Sequence, residues 1–154
     1  MSDVLQDEKV IVFQLKDEEY GVPVNAVGSI ERMQEITRVP RAPHFVKGVM
    51  NLRGIVTPVI DLRERFDIED TRYTESTRII IISIDSQQIG MIVDGANDVV
   101  DVPHDHIEPS PEVVGSVNAD YIKGVAKIEQ RLLILLNLEL VLSEEEFKQV
   151  NDLD

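Results

Sequence analysis

FVKGVMNLRGIVTPVIDL, residues 45–62, is the stretch whose reading decides the fold. An apolar run follows Gly48, the polar interruption Asn51-Leu52-Arg53-Gly54 breaks it, and a second apolar run ends at Asp61. Dense β-branched residues on both sides of a glycine-containing break predict two strands joined by a tight turn, with Gly54 supplying the backbone freedom. Arg53 then sits at the tip, held near the surface by rigid strands. A guanidinium there can pin a carboxylate with two parallel hydrogen bonds, within this chain or on a partner.

The same pattern occurs again downstream. Tyr121–Leu138, YIKGVAKIEQRLLILLNL, superposes on residues 45–62 at a shift of 76. Lys47-Gly48-Val49 falls on Lys123-Gly124-Val125, and Ile60-Asp61-Leu62 on Leu136-Asn137-Leu138. Upstream, Lys9–Ile30 falls on Arg78–Val99 at a shift of 69 without a gap. Two copies of such length are half-domains of one architecture, not solenoid modules. The halves run from about 9 to 77 and from 78 to 142.

Outward from these stretches the chain reads as short strands. Val10–Leu15 is nearly all apolar, as in a strand buried on both faces. Tyr20–Val24 is a second strand, and Pro23 places it at an edge or a bulge. A helical turn after Asn25 leads into a strand through Ile30–Met33, and Thr37–Pro43 is an extended basic loop. Arg63–Phe66 makes a helical turn. In the second half, 78–84, 88–94 and 98–102 are strands, with a turn at Asp94-Gly95. Pro103–Ser116 is the longest loop, and strands at 121–128 and 132–136 close the unit. Ser143-Glu144-Glu145-Glu146 is a capping box opening a C-terminal helix over 143–151. About ten strands with little helix predict an all-β sandwich or pair of barrels, and the duplication favours two small barrels sharing a seam.

Composition narrows the function. The chain has 154 residues, 43% hydrophobic, the size of one domain or two small subdomains sharing a core. With no cysteine there is no disulfide, thiolate nucleophile or Cys-ligated metal. The start, MSDVLQDEK, lacks the basic and apolar regions of a signal peptide, and no apolar run reaches the roughly 20 residues of a membrane span. The expectation is a soluble, cytoplasmic protein without direct membrane insertion. A net charge of −14 argues against nucleic acid. Residues 1–78 hold 11 Lys+Arg and 14 Asp+Glu, residues 79–154 hold 4 and 15, so the second half presents a mostly acidic surface.

No catalytic constellation emerges. His104 and His106 flank Asp105 in a proline-rich loop, but nothing nearby completes a tetrahedral metal set. Asp61 and Asp94 each end an apolar strand; a hydrolase could pair such carboxylates, yet strand-end turn caps explain them more simply. Neither a GxxxxGK[ST] loop nor a GxGxxG after a strand is present. The expectation is a binding module with no enzyme activity, no metal and no cofactor. A self-assembling structural protein is a further reading, suggested by β-edges alone.

These motifs resemble those of CheW, the chemotaxis coupling family. The resemblance rests on Phe13-Gln14-Leu15, Glu19-Tyr20-Gly21, Thr37-Arg38-Val39-Pro40, Asn51-Leu52-Arg53-Gly54, Pro58-Val59-Ile60-Asp61-Leu62, Gly90-Met91-Ile92-Val93-Asp94 and the Ser-Glu-Glu helix. The N-terminal half of CheV and the regulatory domain of the histidine kinase CheA share them, but both carry further domains for which 154 residues leave no room. The resemblance implies two intertwined five-stranded SH3-like β-barrels and no catalysis. It implies an adaptor that couples methyl-accepting chemoreceptors to CheA at the membrane-associated receptor array. A generic two-barrel scaffold without receptor coupling is the alternative.

By motif, the resemblance implies a receptor groove involving Val27, Ser29, Glu31, Arg53, Val56, Ile79, Gly90 and Ala96. From the sequence pattern alone, Ile79 and Gly90 read as core. Some members carry Glu where this chain has Ser29; either Glu31 substitutes for it, or Arg53 is free for a receptor carboxylate. The resemblance implies kinase contacts at Val27, Ile30, Glu112 and Val113. An exposed Val113 suits an interface, and a Val113 tucked into its own barrel is the equal alternative.

Overall fold

The computed structural model describes residues 8–68, 72–84, 86–108, 113–114, 117–118 and 121–141, with the side chains of 113–114 and 117–118 left aside. The expected helix over 143–151 lies outside the described residues, as does Glu112. The first half contributes β1 (Glu8–Leu15), β2 (Glu18–Pro23), β3 (Val27–Arg32), β4 (Val46–Leu52) and β5 (Ile55–Asp61), followed by the one-turn helix α1 (Leu62–Arg65). The second contributes β6 (Arg78–Ile84), β7 (Gln87–Val93), β8 (Gly95–Val102), β9 (Ile107–Glu108), β10 (Val113–Val114), β11 (Val117–Asn118), β12 (Ile122–Ile128), β13 (Arg131–Leu136) and α2 (Leu138–Val141).

The strands form a sheet ordered β8-β1-β2-β13-β12-β9, a second ordered β3-β6-β7-β5-β4, and the small hairpin β10-β11. Each large sheet draws strands from both halves, and each coils into a barrel. β1 and β2 of the first half share a sheet with β8, β9, β12 and β13 of the second, and β6 and β7 of the second share one with β3, β4 and β5 of the first, so the two barrels are intertwined.

The ladders repeat as the sequence does. Adding 69 to every partner in β1–β2, from Val10↔Pro23 to Leu15↔Glu18, yields the β6–β7 ladder from Ile79↔Ile92 to Ile84↔Gln87. Adding 76 to the β4–β5 ladder yields β12–β13, including the bulge at Gly48 and Gly124. The crossing pairs also repeat: β3–β6 and β1–β8 carry one bulge each, at Val27/Ser29 and Val12/Phe13. The shifts differ by seven because the connection from β8 to β12 is longer than that from β3 to β4, and it contains β10 and β11.

Three apolar clusters fill the molecule. Val10, Val12, Val102, Ala126, Leu133 and Leu135 fill the first barrel, and Met50, Leu52, Val59, Ile79, Ile81 and Ile92 the second. The largest cluster, with Phe13, Leu15, Tyr20, Ile60, Leu62, Phe66, Ile80, Ile82, Met91 and Leu136, lies along the seam. Successive side chains of a strand point to opposite faces. In β1, Val10 and Val12 therefore enter the barrel while Ile11, Phe13 and Leu15 enter the seam, which accounts for its unbroken apolar run.

Three local expectations are corrected. β2 is interior, between β1 and β13; Pro23 is tolerated because β13 pairs only with Glu19–Gly21 and the proline is the last strand residue. Asp94-Gly95 is not a hairpin turn: the chain bends at Asp94 and enters β8 at Gly95, crossing from one sheet to the other. Within Pro103–Ser116, residues 104–106 form a 3-10 turn, β9 adds to the first sheet, and Val113–Val114 pair with Val117–Asn118.

Candidate functional site

The β4–β5 hairpin is fixed at both ends by backbone that its sequence permits. Gly48 has φ +144°, and a Cβ there would stand 1.9 Å from the Thr37 carbonyl oxygen. That close approach lets Thr37 and Val49 exchange two backbone hydrogen bonds, at 2.8 and 2.9 Å, and ties the basic loop to β4. At the tip, Arg53 (φ 50°) and Gly54 (φ 88°) are the two residues between Leu52 and its partner Ile55. Positive φ at both central positions is the turn whose twist matches a hairpin. The Asn51 side chain accepts from the Gly54 N–H at 2.7 Å and locks it.

The tip presents Arg53 over β3. Its Nη1 donates to Glu31 Oε2 at 3.2 Å and its Nη2 to Ser29 Oγ at 3.4 Å, while 68% of the side chain stays exposed. The pair joins the two edge strands of the second barrel, β4 through its tip and β3. Glu31 is held below the usual carboxylate range, first by the Ser29 hydroxyl donating to it, against some burial, and then by Arg53. Within the chain, Arg53 thus meets the Glu31 carboxylate and the Ser29 hydroxyl together.

Next to the tip, Ile55 and Val56 at the start of β5 are 56% and 52% exposed; Ile30 on β3, 42% exposed, lies on the strand face opposite Ser29 and Glu31. Ile55 escaped the sequence reading because a run ending in fully buried residues gives no sign that its first two are outside. Ile79 and Gly90 are core: a Cβ on Gly90 would stand 2.8 Å from Ile79 Cγ2. They shape the barrel beneath the site without reaching its surface. Val27 and Ala96 occupy equivalent positions in different sheets, opposite Ile82 and Phe13, each half-buried. Val113 lies in the short β10, and Glu112 is outside the described residues.

Two further charged clusters brace the fold. Arg131 at the start of β13 donates to Glu19 at 3.0 and 3.1 Å and to Asp98 at 3.0 and 3.1 Å. This closes the first barrel as Arg53 closes the second, and the Arg131 hydrogen bond depresses the Glu19 pKa against partial burial. Arg63 on α1 is fully buried; it donates to both Asp61 oxygens at 2.9 Å, to Asp94 Oδ1 at 3.0 Å and to the Arg72 carbonyl at 2.9 Å. Asp61 also caps α1 by accepting from the Arg63 N–H at 3.0 Å. Asp61 is therefore a cap and a counter-ion, shut off from water and from any substrate. His104 and His106 lie on an exposed 3-10 turn, and among the described residues no group is placed to hold a metal ion. No described helix is long and apolar enough to cross a membrane.

Two intertwined barrels with an exposed charged-and-apolar hairpin tip define a protein-interaction module. A family model, the CheW-like domain, matches residues 9–146. The chain is 43% identical over 144 residues to "Chemotaxis protein CheW" of Bacillus subtilis, covering 94% of this chain and 92% of that one. It is 35% identical over 145 residues to the protein of that name from Klebsiella aerogenes, covering 94% and 87%. A crystal structure of the scaffolding protein TtCheW from Thermoanaerobacter tengcongensis superposes with a TM-score of 0.85 at 34% identity, over 91% of this chain and 95% of that one. The chain belongs to the CheW-like domain family, and it is a non-catalytic chemotaxis coupling adaptor.

Proposed function

We propose that this protein bridges the cytoplasmic tip of methyl-accepting chemoreceptors to the regulatory domain of the histidine kinase CheA, and is recruited by them to the membrane-associated array. The observation that supports this most is the hairpin tip: a rigidly held Arg53, mostly exposed although paired with Glu31, beside exposed Ile55 and Val56. A receptor hairpin offers a carboxylate for the arginine and apolar side chains for the surface beside it. Val27, Ser29, Glu31, Arg53, Val56 and Ala96 form the receptor face in this reading, and Ile79 and Gly90 act through the shape of the barrel. Val27 and Ile30 on β3, with Glu112 and Val113, serve the kinase. Halves 9–77 and 78–142 act as one unit in this reading, each supplying strands to the other's barrel.

Binding of a purified receptor cytoplasmic fragment to wild type and to Arg53→Glu tests the assignment. The variant should lose at least ten-fold in affinity while its melting temperature stays nearly constant, because an exposed ion pair contributes only about 0–1 kcal/mol to stability. Unchanged affinity would remove Arg53 from the receptor face.

A further inference from the structure

Because both halves carry the same registers, each position in one has a counterpart in the other. The counterparts differ most at the two ends of the seam. At one end the buried Arg63 ties Asp61, at the end of β5, to Asp94, where the chain crosses from the second barrel to the first. Asp94 continues the link: Oδ2 accepts from the Lys16 N–H at 2.6 Å, and its own N–H donates to the Gln14 carbonyl at 2.9 Å. Lys16 and Gln14 belong to the β1–β2 hairpin of the other barrel. One guanidinium and one carboxylate thus fasten the two barrels together.

At the opposite end the shifts of 69 and 76 place Asn25, Asn137 and Glu139 where Asp94, Asp61 and Arg63 stand. The cap survives, since Asn137 Oδ1 accepts from the Glu139 N–H at 3.2 Å. The ion network does not, among the described residues: Glu139 is exposed, and Pro23 and Leu138 beside it are only half-buried. The counterparts of Pro23 and Leu138, Ile92 and Leu62, are fully buried. A buried, fully hydrogen-bonded ion cluster rigidifies the elements it joins, and an end without one has less to hold it.

We propose that Arg63 and Asp94 latch the two barrels together at one end of their seam, and that the seam yields first at the opposite end, around Pro23, Ile84 and Leu138. Residue-resolved native-state hydrogen exchange on the full chain tests this, with rates corrected for intrinsic exchange. Ser83 and Ile84 should exchange at least ten-fold faster than their counterparts Gln14 and Leu15; equal or slower exchange overturns the proposal. The variant Asn25→Asp/Asn137→Asp/Glu139→Arg transplants the latch. It should slow exchange at Ser83 and Ile84 about ten-fold, and unchanged exchange in a folded variant would count against the latch. The near-isosteric Asp94→Asn guards against a transplant that does not fold. It should speed exchange at Gln14 and Leu15 about ten-fold and leave Ser83 and Ile84 unchanged, whereas a uniform rise throughout the chain overturns the proposal.

Discussion

Arg63→Met removes the buried guanidinium that neutralises Asp61. Burial opposes the arginine's charge most strongly, but hydrogen bonds and attraction from Asp61, then Asp94, outweigh it and push its pKa up. Methionine fills much of the arginine stem's volume, so the chief loss is electrostatic. Asp61, fully buried, keeps only the backbone N–H bond at 3.0 Å and loses two side-chain bonds at 2.9 Å. Breaking a buried pair from one side costs about 3–5 kcal/mol. At about 2–4 °C per kcal/mol for a chain of this size, the melting temperature should fall by roughly 6–20 °C. A total stability of about 5–15 kcal/mol leaves most of the variant folded at 25 °C. Thermal and urea unfolding followed by circular dichroism measure the loss. The double variant Asp61→Asn/Arg63→Met should recover about half of it, because the stranded charge is gone. A cost below about 1 kcal/mol for Arg63→Met, or a double variant no better than the single one, would refute the reasoning.

Other outcomes follow from the same geometry. Gly48→Ala must displace the Thr37 carbonyl and should cost more than about 3 kcal/mol, whereas Gly54→Ala meets nothing within 4 Å and should cost only the left-handed backbone penalty of about 1–2 kcal/mol; parallel thermal melts would show any equality. Ile79→Ala leaves a cavity in the second barrel and should cost about 3–4 kcal/mol in urea unfolding. Receptor affinity measured on its folded fraction should change little, and a large specific loss there would make Ile79 a contact residue. Glu31 should titrate below the ordinary carboxylate range by NMR, and Ser29→Ala and Arg53→Ala should each raise its pKa. Since the folded pKa is the lower one, the stability Glu31 contributes is present above the unfolded pKa and is lost as pH falls through the folded value. Equal titration in all three proteins would count against the cluster.

Much of this was legible because duplication leaves a signal that single strands do not. Shifts of 69 and 76 were visible in the sequence, and the ladders repeat at the same shifts, bulges included. The Asn51–Gly54 tip was legible from turn chemistry. The strand exchange followed from family resemblance alone, since nothing local tells β2 to pair with β13, more than a hundred residues away. The helical turn at Arg63 was legible, but its burial was not: a charged residue shows no sign of being buried until its counter-ions, one of them just past the end of β7, are placed around it. Pro23 misled for a related reason. The lost ladder bond matters only if a neighbour strand extends that far, and β13 stops short. At the candidate site, Ile79 reads as core from its apolar strand, as found, whereas Val56 sits in a similar run and its exposure showed only in the structure.

The most direct measurement is CheA autophosphorylation in a mixture of kinase, receptor cytoplasmic fragment and this protein, each omitted in turn and then with Arg53→Glu substituted. Receptor control of the kinase is predicted to require the wild-type chain and to be largely lost with the variant. Receptor-controlled activity that is as strong without this protein as with it would contradict the coupling role.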